Sequence, residues 1–111
     1  MNYISWDDFE KIDIRVGTIV KVEDFSQARK SAYKLEIDLG ELGIKKSSAQ
    51  IVSLYSKEEL LEKQVICVVN FPPKQIGPFI SEVLTTGVAS KEGTVVLIGP
   101  NKNVPNGAKL F

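Results

Sequence analysis

The chain of 111 residues contains no histidine and a single cysteine, Cys67. The first lack removes the usual general base near neutral pH and the commonest zinc ligand. The second excludes any internal disulfide. Cys67 lies in the apolar run Val65-Ile66-Cys67-Val68-Val69, where a thiol packs rather than reacts. No stretch approaches the roughly 20 apolar residues that a membrane-spanning helix needs. Neither a G-x-x-x-x-G-K nor a G-x-G-x-x-G phosphate loop occurs. The carboxylate pairs Asp7-Asp8 and Glu58-Glu59 stand at expected helix starts, where each acid stabilises the dipole by about 0.3–1 kcal/mol. The expectation is a protein without catalytic residues, metal or cofactor.

Net charge is also lacking, with 14 basic residues against 14 acidic ones. That counts against a diffuse positive field as the means of holding nucleic acid, since phosphate affinity scales with the phosphates neutralised. It favours self-association instead. The charge is unevenly placed, however. Residues 1–24 carry Lys11, Arg15 and Lys21 against six acids, whereas residues 25–55 carry Arg29, Lys30, Lys34, Lys45 and Lys46 against three. A basic face would have to come largely from the second stretch. The acidic, mixed start Met1-Asn2-Tyr3-Ile4-Ser5-Trp6-Asp7-Asp8 is no signal peptide, and with the lone cysteine it implies the cytoplasm and no membrane insertion.

What is present is β-rich and fits one domain over residues 1–111. Ser5, with Asp8 three residues on, is expected to cap a helical turn through Phe9. Ile12, Ile14, Val16, Thr18, Val20 and Val22 alternate with Asp13, Arg15, Gly17, Ile19, Lys21 and Glu23. This predicts a strand with the first series buried, and Gly17 at an outer bend. Residues 25–31 read as a loop. From Ala32, the residues Tyr33, Leu35, Ile37 and Leu39 form an inner face; after a turn at 40–43, residues 44–51 return as a polar strand. Ser56 to Glu59 is a capping box for a helix ending near Glu62, and Gln64 to Asn70 is a buried strand. Phe71 to Pro78, with three prolines, reads as a rigid loop; strands follow at 79–89 and 94–98, turning near Gly93. The terminal segment, punctuated by Pro100, Pro105 and Asn106-Gly107, is expected to fold back on the body. Five or six strands with a helix between the third and fourth describe a small Greek-key barrel of the oligonucleotide-binding (OB) type.

Longer motifs support this. Asp8-Phe9-Glu10-Lys11-Ile12-Asp13-Ile14-Arg15-Val16-Gly17 resembles the opening of the tRNA-binding domain appended to methionyl- and phenylalanyl-tRNA synthetases and found in the EMAP II cytokine. The likeness continues through residues 32–40 and 47–51. It is strongest at Val69-Asn70-Phe71-Pro72-Pro73-Lys74-Gln75-Ile76-Gly77-Pro78-Phe79 and at Ser81-Glu82-Val83-Leu84. Glu82-Val83-Leu84 departs from the Ser-x-Gly/Ala-Met pattern of synthetase-linked members. It puts a negative charge near the expected RNA surface and moves the chain towards the free-standing CsaA branch, described as export-related chaperones.

The resemblance implies a homodimer using the C-terminal extension and tRNA recognised by shape. It implies binding positions at Lys34, Lys45, Ser48, Asn70, Lys74, Ser81 and Leu84. Unfolded preproteins or the export machinery are further implied partners. The alternative is a passive dimerisation or docking module for an aminoacyl-tRNA synthetase. Arg15 either contacts a phosphate or pairs with a cross-strand acid such as Glu36. Lys45 and Lys46 straddle a strand, so only one can face a given ligand. Asn70 either caps a turn or bonds RNA, and Ser81 either binds phosphate or bonds within its strand. Phe71 and Phe79 either stack on bases, form an apolar peptide-binding patch, or pack under their own loop.

Overall fold

Two capping boxes start the two α-helices of the computed structural model, which describes residues 1–111. Ser5 Oγ accepts from the Asp8 amide at 3.0 Å, and Asp8 accepts from the Ser5 amide at 3.2 Å, opening α1 (Trp6–Glu10). Those bonds, with a further one from Lys11, hold the Asp8 carboxyl below its usual range. Ser56 and Glu59 repeat the exchange at α2 (Lys57–Leu60). The second helix ends at Leu60, two residues before the expected stop. Leu61 is extended and Glu62 takes a left-handed φ of 69°, which lets Leu60 drop into the core.

The strands are β1 (Ile14–Asp24), β2 (Tyr33–Asp38), β3 (Ile44–Ala49), β4 (Gln64–Val68), β5 (Lys74–Ile76), β6 (Phe79–Ser81), β7 (Leu84–Thr85), β8 (Gly87–Ala89) and β9 (Val95–Leu97). Five of them form one antiparallel sheet in the order β3-β2-β1-β4-β7. The sheet curls until its ends meet. The amides of Glu82 and Val83 donate to the Lys46 carbonyl at 2.8 and 3.3 Å, and the Lys46 amide donates to Glu82 Oε1 at 3.0 Å. The result is the expected OB-like barrel, nearly closed, with α2 between β3 and β4.

The core follows β2 as expected, since Tyr33, Leu35, Ile37 and Leu39 are all buried. Ile19, Ile51, Leu60, Val65, Cys67 and Val83 complete it. Each fully buried aliphatic side chain contributes about 1.5–3 kcal/mol relative to exposure.

β1 departs from the alternation expected of it. Ile19, assigned outward, is fully buried, while Val20, assigned inward, is exposed. The reason is a β-bulge. The register runs Ile19↔Ile37 and then Lys21↔Glu36, leaving Val20 without a partner, so Val22 turns back to the core. A bulge adds the twist that barrel closure needs. Gly17 is therefore not an outer bend. A Cβ there would lie 2.5 Å from Ile37 Cγ2 and 2.7 Å from Leu39 Cδ2, so glycine permits the close approach of β1 to β2.

The terminal segment does fold back. It runs along the first half of β1, with bonds from Val16 N to Ala108 O, Gly107 N to Val16 O and Leu110 N to Ile14 O. Gln64 holds Val104 through both ends of its side-chain amide, Nε2 donating to the Val104 carbonyl and Oε1 accepting from the Val104 amide, and Thr18 bonds Asn106.

The expected strand at 79–89 is three strands with three different partners, β5, β4 and β9, because closing the barrel forces the chain round two corners. The proline loop contains a hairpin, β5–β6, outside the main sheet and turning at Gly77 with φ 59°. No helix is long and apolar enough to cross a membrane.

Candidate nucleic-acid interface

The loop after β1 is pinned at Phe25, whose amide bonds the Ala32 carbonyl and whose buried ring meets Phe79 edge-on at 5.3 Å. That contact ties the β5–β6 hairpin to the β1–β2 loop. Between them opens a groove of about 880 Å³. Arg29 and Lys30 line it from the loop, Lys74 from β5, Ser48 and Gln50 from the end of β3, and Ser81 and Leu84 from the closing segment. Ile76, Val83, Val95 and Leu97 supply apolar surface.

No carboxylate lines this groove. Arg29, Lys30 and Lys74 form no ion pair; the chain's five involve only Lys11, Arg15, Lys21 and Lys57 as cations. In a chain of zero net charge, three uncompensated cations therefore converge on one concavity. Such a site attracts anions. Lys74 and Ser81 are register partners, so their spacing is set by the hairpin. Ser81 Oγ also makes a long bond, 3.4 Å, to the Val83 carbonyl within its own segment.

The other expected positions divide between three places. Lys34 and Lys46 stand on the outer β2–β3 face among Lys21, Glu23 and Glu36, with Lys34 Nζ 5.9 Å from the Phe25 ring centre. Lys45 points the other way, into the barrel mouth beside Asp13, Phe71, Pro73 and Glu82. Val83 lines both mouth and groove, so the two adjoin.

Arg15 and Asn70 belong to the framework. Arg15 Nε donates to Asp13 at 2.6 Å and Nη1 to the Gly107 carbonyl at 3.0 Å. Asp13, not the expected Glu36, is its partner, and the bond raises the guanidinium's pKa; Glu36 faces Lys21 at 3.7 Å. Arg15 lies before the β1–β2 pairing, which begins at Thr18↔Asp38, and sits opposite Cys67 of β4. Asn70 accepts from the Asp13 amide at 3.0 Å and donates to the Lys11 carbonyl at 2.7 Å, joining the end of β4 to the start of β1.

Phe71 and Phe79 do not share a patch. Phe79 packs on Phe25, whereas Phe71 is exposed at the mouth. Glu82 turns its carboxylate to the Lys46 amide and closes the barrel. Arg29 and Lys30 belong to the basic stretch from which a cationic face was expected, though they were not singled out as contacts. Their signal is plain in retrospect: the loop Phe25-Ser26-Gln27-Ala28-Arg29-Lys30-Ser31-Ala32 holds two adjacent bases and no acid.

Residues 14–109 match the family model described as "Putative tRNA binding domain". The chain belongs to this tRNA-binding-domain family. Among relatives, it is 37% identical over 110 residues to the methionine–tRNA ligase of Pyrococcus horikoshii, an alignment covering 99% of this chain and 15% of the ligase. The chain thus spans about a seventh of such relatives. Among solved structures, it is similar to the chaperone CsaA of Bacillus anthracis, with TM-score 0.93, 47% identity and coverage of 99% of this chain and 100% of that one. The CsaA chaperone of Picrophilus torridus is similar at TM-score 0.91 and 52% identity, with 98% and 100% covered. A methionyl-tRNA-synthetase-related protein of Pyrococcus horikoshii follows at 0.87 and 30%, with both chains fully covered.

Proposed function

We propose that this member of the family is a non-catalytic tRNA-binding protein that reads folded RNA through the carboxylate-free groove. The observation that carries the reading is the convergence of Arg29, Lys30 and Lys74 without a compensating acid. Ser48 and Ser81 stand beside them as hydroxyl donors. The non-catalytic part rests on the chain's chemistry. It has no histidine, and burial pushes the Cys67 thiol up to about 11, far from a thiolate at neutral pH. The test is a titration at several salt concentrations with folded tRNA and with a linear strand of equal length. Binding should weaken as salt rises, with a slope set by about three phosphates, and should favour the folded RNA. Equal binding of the two RNAs would remove shape recognition.

A second reading, holding of unfolded polypeptide, is favoured by an apolar surface that adjoins the groove and shares Leu84 and Val95 with it. Leu84 and Val88 are about half exposed and sit with Ala89 and Val95 on a shallow face beside the groove. Suppression of aggregation of an unfolded client, insensitive to salt and lost in Val88→Asp, is its expected signature. Pairing of two copies through this and other apolar surface, including the exposed Phe111, would make a homodimer. Sedimentation equilibrium giving twice the chain mass is the expected result.

A further inference from the structure

Three cations on a flat surface would suffice to hold a phosphate backbone, yet this site is concave and its lining is largely apolar. A volume of about 880 Å³ is within the range of about 300–1,000 Å³ that encloses small ligands. Ile76, Leu84, Val95 and Leu97 form apolar surface between the cationic loop and the hairpin, and Ser48 and Gln50 add polar groups on one wall. A continuous RNA duplex keeps its bases stacked and offers mainly phosphates and sugars, so it has nothing to place on such a lining. An apolar peptide segment could cover the lining, but it would leave the three cations unanswered. An unstacked nucleotide satisfies both features, because every base has an apolar face and is flanked by phosphates.

Resting on the tRNA-binding reading, we propose that the groove receives one unpaired, unstacked nucleotide. Its base lies against Leu84 and Ile76, and its flanking phosphates meet Arg29, Lys30 and Lys74. The RNA feature recognised is then an extruded base, and folded tRNA is preferred because its shape presents one.

The test uses the full chain and three labelled RNA hairpins with the same number of phosphates. One carries a single bulged nucleotide, one is fully paired, and one has the bulge without its base. The bulged hairpin should bind about tenfold more tightly than the other two, the low end of what a base gains on an aromatic ring, because the lining here is aliphatic. Leu84→Ser should abolish that preference while keeping the salt slope. Ile76→Ser, in a hairpin outside the main sheet, checks the result in a second background. Lys74→Ala should weaken all three hairpins alike and reduce the salt slope by about one.

Equal binding of the three hairpins, or a preference that survives both serine variants, overturns the nucleotide inference and leaves tRNA binding standing. Absence of salt-dependent binding to any hairpin or to tRNA overturns both. Displacement of the bulged hairpin by an apolar peptide but not by a mononucleotide overturns the inference in favour of a polypeptide occupant.

Discussion

Arg15 and Lys74 carry the same charge on one small barrel and end in opposite states. Arg15 is clamped between the Asp13 carboxylate and the Gly107 carbonyl, and with Asn70, Thr18 and Gln64 it fastens the terminal segment and the chain start to the sheet. Lys74 stands in a groove without a carboxylate. Arg15 spends Nε, Nη1 and Nη2 on partners within the fold, whereas a free cation can exchange its counterions for phosphates. The stapled edge is therefore a stability device, and the open groove a binding device. In a chain of zero net charge, binding capacity depends on which cations escape pairing and not on how many there are.

The largest effect that would sharpen this contrast comes from emptying the groove. Arg29→Ala, Lys30→Ala and Lys74→Ala together should lower tRNA affinity on the order of 10²–10³-fold at moderate salt, about tenfold per lost phosphate contact. The thermal midpoint should be unchanged. Retained affinity in a folded triple variant would break the comparison outright.

Next in size are changes at the stapled edge. Asn70→Ala removes two hydrogen bonds and should cost about 1–2 kcal/mol in denaturant unfolding. Arg15→Ala should likewise lower the melting temperature. Both variants should keep the wild-type RNA salt slope, and a slope reduced by one in Arg15→Ala would return that residue to the binding surface.

Lys34→Ala and Lys46→Ala test the middle ground, where cations stand among Glu23 and Glu36. Because nearby carboxylates already screen them, each should change tRNA affinity by less than about threefold.

The smallest effect is at alkaline pH. The folded Cys67 thiol, pushed by burial from 9.0 to about 11, stays protonated where the unfolded chain's thiol ionises. Its stabilising contribution is complete below pH 9.0 and is lost as pH rises towards about 11. The difference in unfolding free energy between the wild type and Cys67→Val should be constant below pH 9.0, and the wild type should lose stability relative to the variant as pH rises towards about 11. A thiol equally reactive in native and unfolded protein would contradict its burial.

Much of the barrel was legible because its cues are short-range. The Ser5–Asp8 and Ser56–Glu59 boxes, the inner face of β2 and the buried run of β4 all formed as their patterns required. The β1 alternation misled because a bulge at Val20 leaves no mark in composition; only the partner strand reveals that one residue is extra. The same limit applied at the site. Ser48, Lys74, Ser81 and Leu84 do meet in one groove, but Lys45, Lys34 and Lys46 face other surfaces, and Arg29 and Lys30 join from a loop that carried no motif.

From its residues alone this protein was committed to a β-barrel with two capped helical turns, without histidine chemistry and without surplus charge. Capping, strand alternation and ionisable content act within a few neighbouring positions, so linear order suffices to read them. Which cations would be free was decided only on folding. Lys57 meets Asp24 across 33 positions, and Lys21 meets Glu36 from a neighbouring strand. Charge pairing depends on distance in space, and only the closed barrel sets those distances.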